Sequence, residues 1–159
     1  MVWFCRWAEL LGRRIMVAIA QRLQRSATGV IYLQPKTASV SQNNTIVVTL
    51  FINSPKPITV VEMNVSYDSA KLELVGFDSS TSAFDSTIQE VDNAGTLTVA
   101  RAKLQASGIS GVLRVCSITF KALVANGSSS IIISSGNAAI DGTYANPALS
   151  GPAVITFTS

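Results

Sequence analysis

From Val30 onward, apolar side chains return at every second position, and no stretch of the body shows the three-and-four spacing of a helix. In "TIVVTLFIN", Ile46, Val48, Leu50 and Ile52 fall on one side, while Thr45, Val47, Thr49 and Phe51 fall on the other. Successive side chains of a strand point to opposite faces, so this alternation demands sheets that each bury one face. Similar runs follow as "TVVEMNVSY", "KLELVGF", "TLTVARA", "VLRVCSITFKAL", "SIIIS" and "AVITFTS", with "VIYLQ" ahead of them. Between them lie the turn clusters "NSPKP", "DNAG", "ASGISG" and "ANGSSS". The two prolines of "NSPKP" remove ladder donors and are expected to end a strand. Residues 79–95 and 135–152 are polar and small, and read as loops with at most short extra strands. The pattern predicts an all-β fold: an antiparallel β-sandwich, jelly-roll-like, of about nine short strands.

Charge divides the chain in two. Residues 1–29, "MVWFCRWAELLGRRIMVAIAQRLQRSATG", carry five arginines against Glu9 and so hold a net +4, whereas the remainder is at −1. The sandwich therefore has no basic footprint for phosphate, and no nucleic-acid partner is expected. Leu10, Leu11, Ile15, Ala18, Ile19 and Leu23 approximate a helical stripe among the arginines. The longest apolar run, "IMVAIA", is too short for a signal peptide or a membrane span. Residues 1–29 thus read as a basic amphipathic leader: a degenerate export signal, a surface helix or a mis-called start. Membrane contact is expected only through it. The second unit is 30–159. Cys5 and Cys116 make no disulfide framework; Cys116 shares a face with Ile118 and Phe120 and is expected to be a small buried hydrophobe.

The residues of common catalysis are scarce. There is no histidine, which removes the usual base for a serine or cysteine nucleophile and the commonest zinc ligand. No glycine-rich phosphate loop opens a helix. Glu62, Glu73 and Glu90 are the carboxylates that glycoside hydrolysis would need, but each reads more simply as a solvent-facing residue. Asp78, Asp85, Asp92 and Asn93 lack the dense alternation of a calcium loop and read as turn residues. No enzyme activity, cofactor or metal is expected.

One stretch carries a family likeness. "VEMNVSYDSAKLELVGFD" alternates through Val61, Met63, Val65 and Tyr67, breaks at Asp68, and resumes in Leu72 and Leu74 before Gly76. Together with "GVLRVCSITFKAL", which contains Gly111, Leu113, Ile118, Phe120 and Ala122, it resembles the bacterial cohesin modules of cellulosomes. Ser69 stands where that family has proline. "TLTVARA" and the closing "SSGNAAIDGTYANPALSGPAVITF" are similar to the family's central strand and last loop and strand.

The resemblance implies a non-catalytic, extracellular or cell-surface module that attaches to a dockerin-like protein partner. It implies that the partner meets the outward positions of the strand before the corner, Val60, Glu62, Asn64 and Ser66. Tyr67 and Asp68 are expected to form a structural corner, with the Tyr67 ring in the core and Asp68 accepting backbone N–H bonds. A polysaccharide-binding module is the alternative, although the body offers only Tyr32, Tyr67 and Tyr144 for sugar stacking among its tyrosines and tryptophans. A structural or adhesive surface module is the third reading.

Overall fold

The computed structural model describes residues 29–140 and 143–159. The helical leader expected over 1–29 lies, apart from Gly29, outside the described residues. Eleven strands are present among the described residues: β1 Val30–Gln34, β2 Thr37–Ser41, β3 Thr45–Ser66, β4 Leu72–Asp78, β5 Ser86–Asp92, β6 Thr96–Ala102, β7 Ile109–Ala122, β8 Gly127–Ile140, β9 Thr143–Ala145, β10 Ala148–Leu149 and β11 Ala153–Thr158.

β3 organises the rest. Its first half, 45–54, runs between β1 and β7, and its second half, 58–66, between β6 and β8, all antiparallel. β4 extends the first layer beyond β7, and β10 joins it in parallel on β1. β5 extends the second layer beyond β6, and β9 lies on the end of β8. β11 pairs antiparallel with the start of β8 and parallel with β2. The result is an all-β sandwich around one core, in which Leu50, Ile52, Met63, Leu97, Ile118, Phe120 and Ile155 are fully buried.

The prolines of "NSPKP" do not end the strand. Ser54 registers on Gly111 and Ile58 on Ile109, so β3 takes four steps where β7 takes two, and Pro55 and Pro57 are exposed in that bulge. A missing N–H costs little where the ladder is already open. The Ser54 hydroxyl donates to the Lys56 carbonyl at 2.8 Å and accepts the Lys56 N–H at 3.3 Å, which closes the bulge on itself. Just beyond it, at the register shift between Ile58 and Val60, the buried positions change parity, from Val48, Leu50, Ile52, Ser54 and Ile58 to Val61, Met63 and Val65.

Other segments also differ from expectation. Residues 79–95 contain the whole of β5, and 135–152 contain the end of β8 with β9 and β10. "TASVS" forms β2, a strand too short and polar to stand out by alternation. "DNAG" does make a tight hairpin, with Ala94 at φ 46°, Gly95 at φ 114°, and the Asn93 N–H bonded to the Thr96 carbonyl at 2.9 Å. Cys116 is buried in register with Leu50, and burial pushes its thiol up to about 12.

Candidate partner-binding face

The second half of β3 separates its side chains cleanly. Val61, Met63, Val65 and the adjoining Tyr67 enter the core, leaving Val60, Glu62, Asn64 and Ser66 on the outer surface. Register then sets their neighbours. Glu62 lies between Ala100 of β6 and Asn137 of β8, with Gln89 of β5 beyond Ala100. Asn64 lies between Thr98 and Ser135, with Val91 beyond Thr98. Val60 lies between Ala102 and Ala139, and Tyr144 of β9 continues that row. Ser66 lies between Thr96 and Ile132.

The four predicted positions are not equivalent. Asn64 spans three strands: its Nδ2 donates to Ser135 Oγ at 2.8 Å, and its Oδ1 accepts from Thr98 Oγ1 at 2.8 Å. Its amide therefore ties the sheet together as well as facing outward. Val60 and Ser66 are half-buried. Glu62 is exposed, with small or neutral side chains beside it in its row, and is the row's one carboxylate.

At the end of β3 the chain turns. The Tyr67 ring is buried with its centroid 5.0 Å from that of Phe120, and its hydroxyl donates to both carboxylate oxygens of Asp92, at 2.9 and 3.0 Å. Burial, then Asp92, push the phenol up to about 12. The Tyr67 N–H donates to the Gly95 carbonyl at 2.9 Å, fastening the turn to the β5–β6 hairpin. Asp68 Oδ1 accepts from the Ala70 N–H at 3.0 Å, an Asx turn, and its carbonyl accepts from Lys71 and Leu72.

Beneath the face lies a group that the sequence reading passed over. Arg101, 4% exposed, points inward from β6 and donates to Glu90 Oε1 at 2.8 Å, to Thr87 Oγ1 at 2.9 Å, to Ser79 Oγ, and to the Phe84 carbonyl. Ser79 Oγ in turn donates to Glu90 at 2.7 Å. Glu90 is thus not a solvent-facing loop residue as expected; it is on β5 and neutralises a buried guanidinium. The signal was available: Leu97, Val99 and Arg101 share one parity in "TLTVARA", which sends the arginine the same way as two core residues.

The remaining carboxylates have local partners. The Ser80 hydroxyl, and then the Ser80 N–H that donates to Asp78 at 2.9 Å, hold the Asp78 carboxyl below the usual range. Lys103 at 2.7 Å does the same for Asp85. Glu73 is exposed and sits opposite Lys121. Among the described residues no three His, Cys, Asp or Glu side chains come close enough to hold a metal ion.

The chain, with its sandwich fold and this face, can be set beside known proteins. A model of the cohesin domain covers residues 31–149. The chain belongs to the cohesin family. No curated protein matches this cohesin in sequence. Its fold is similar to that of CaCohA2, a Clostridium acetobutylicum protein, in a complex with CaDoc0917, at a TM-score of 0.70 and 18% identity over 82% of this chain and 100% of that one. It is similar to a non-cellulosomal cohesin from the archaeon Archaeoglobus fulgidus, at 0.68 and 18% over 84% and 93%. A type I cohesin–dockerin complex from Clostridium thermocellum gives 0.64 and 16% over 82% and 99%.

Proposed function

We propose that this cohesin is a non-catalytic attachment module, extracellular or at the cell surface, that binds a dockerin-type protein through the outer face of β8, the second half of β3, β6 and β5. The observation that carries this reading is the exposed carboxylate of Glu62 in a row whose other members, Asn137, Ala100 and Gln89, are uncharged. A lone charge at the centre of such a surface favours a partner with one cation opposite it, and rejects partners that would leave it desolvated and unpaired. Asn64 contributes by keeping β8, β3 and β6 in one plane through its bonds to Ser135 and Thr98. Val60 and Ser66 give the face its apolar and small-polar margins. Solved relatives that carry dockerins in their complexes support the choice of partner.

The test is calorimetric titration of the protein with a panel of dockerin modules, with Glu62→Arg alongside the wild type. Binding that drops in Glu62→Arg places the partner on this face. Binding that ignores Glu62→Arg discards the face while retaining the partner.

A further inference from the structure

Beside the face, at the β8 edge, the surface becomes concave. A groove of about 500 Å³ opens between the outer residues Ser135 and Asn137 of β8 and the segment that holds Asn146, Pro147 and Leu149. Ser135 and Asn137 are the register partners of Asn64 and Glu62, so the groove begins where the proposed recognition face ends. Tyr144, 73% exposed, stands at the outer end of the Val60 row, and Leu149, 41% exposed, lies along the groove wall.

We infer that this groove is the anchoring subsite of the protein partner, taking one uncharged side chain from the same partner segment that places a cation opposite Glu62. The inference rests on the proposed function above and adds where its specificity resides.

Two considerations lead there. The first is area. Four strands about 4.8 Å apart make a face only about 19 Å across, narrow for a partner that buries about 800 Å² of its own surface in a standard interface. A partner lying on the face must run past an edge, and the β8 edge offers a concavity to fill. The second is chemistry. The groove is lined by hydroxyl, amide and apolar groups with no ionisable side chain, so a charged group there would lose hydration without a counter-ion. An uncharged side chain loses little and gains the apolar walls. Binding energy concentrates where a side chain of one partner fills a pocket of the other; Tyr144, outside the groove's lining, stands exposed on β9 where a partner crossing from the Val60 row to the groove would pass.

The experiment compares wild type, Ala148→Trp (which fills the groove), Tyr144→Ala and Glu62→Arg in titrations against a panel of dockerin modules. Soluble cello- and chito-oligosaccharides are titrated in parallel, and thermal melts check each fold. The expected result is a loss of about tenfold or more in dockerin affinity for both Ala148→Trp and Tyr144→Ala, with melting unchanged for Tyr144→Ala. If Ala148→Trp fails to fold, Leu149→Ser takes its place. Affinity that falls in Glu62→Arg but stays within about twofold in the groove variants overturns the groove and keeps the face. Affinity that falls only in the groove variants keeps the groove and overturns the Glu62 reading. Oligosaccharide binding abolished by Tyr144→Ala makes the groove a sugar site and overturns the inference. A panel with no binder among the dockerins removes the proposed function and this inference together.

Discussion

The Tyr67 hydroxyl lies 2.9 and 3.0 Å from the two carboxylate oxygens of Asp92, and so joins the corner after β3 to the end of β5. The bond holds the edge strand of the proposed recognition face to its central strand at one end, while the Arg101 cluster holds it from below.

Tyr67→Phe deletes that bond and nothing else of the ring packing. It should cost about 1.5 to 3 kcal/mol, because a hydrogen bond to a carboxylate is worth more than one to a neutral acceptor. Tyr67→Ala also empties the space against Phe120 and should cost about 3 to 5 kcal/mol. Urea unfolding monitored by circular dichroism measures both.

The same residue predicts an alkaline response. The phenol ionises near 10 in an unfolded chain, but only at about 12 in the fold. Its contribution is therefore complete below pH 10 and lost as pH rises from 10 to 12. Cys116, also raised to about 12 by burial, adds a loss of the same sign that starts lower. Midpoints measured from pH 8 to 12 should fall less in Tyr67→Phe than in the wild type; parallel curves would contradict this.

Removing the buried guanidinium strands Glu90, Thr87 and Ser79 together. Arg101→Met should destabilise by about 3 kcal/mol, since breaking one side of a buried pair leaves the other uncompensated. Glu90→Gln keeps an acceptor but leaves the buried, permanently charged guanidinium without its counter-ion, and should also destabilise. Hydrogen exchange should show the β5 amides losing protection first in Arg101→Met.

On the outer face, stability and binding should separate. Glu62→Gln exchanges one exposed, uncrowded polar side chain for another and should change stability by less than about 0.5 kcal/mol, whereas Asn64→Ala breaks two bonds and should cost about 1 to 2 kcal/mol. An equal loss of stability in both variants would show that Glu62 has a structural partner.

Two glycines at positive φ offer a paired comparison. A Cβ on Gly111 would meet nothing within 4 Å, while one on Gly108 would lie 2.9 Å from the Ile58 carbonyl oxygen. Gly111→Ala should cost about 1 kcal/mol from the backbone alone, and Gly108→Ala clearly more. Thermal melts that rank them the other way would refute this.

Much of the second layer was readable from the chain. Val61, Met63, Val65 and Tyr67 enter the core because period two leaves no other choice, and Asp68 folds on itself as short acidic side chains do at turns. What escaped did so for identifiable reasons. Pro55 and Pro57 look like terminators until the bulge is known, and a bulge depends on a partner strand more than fifty residues away. β5 alternates weakly, since Thr87, Gln89 and Val91 are all exposed and its inward Glu90 is charged. The groove brings 135–137 beside 146–149 through pairings that local patterning does not encode.

β3 also decides how this molecule comes apart. Because one strand of 22 residues, bulged but not broken at 54–58, supplies ladder bonds to β1, β6, β7 and β8, the two layers are joined through a shared backbone and neither melts alone. The slowest-exchanging amides of both layers should therefore report a single opening free energy, that of the whole domain. The proposed recognition face and the layer behind it share one fate under heat, denaturant or protease.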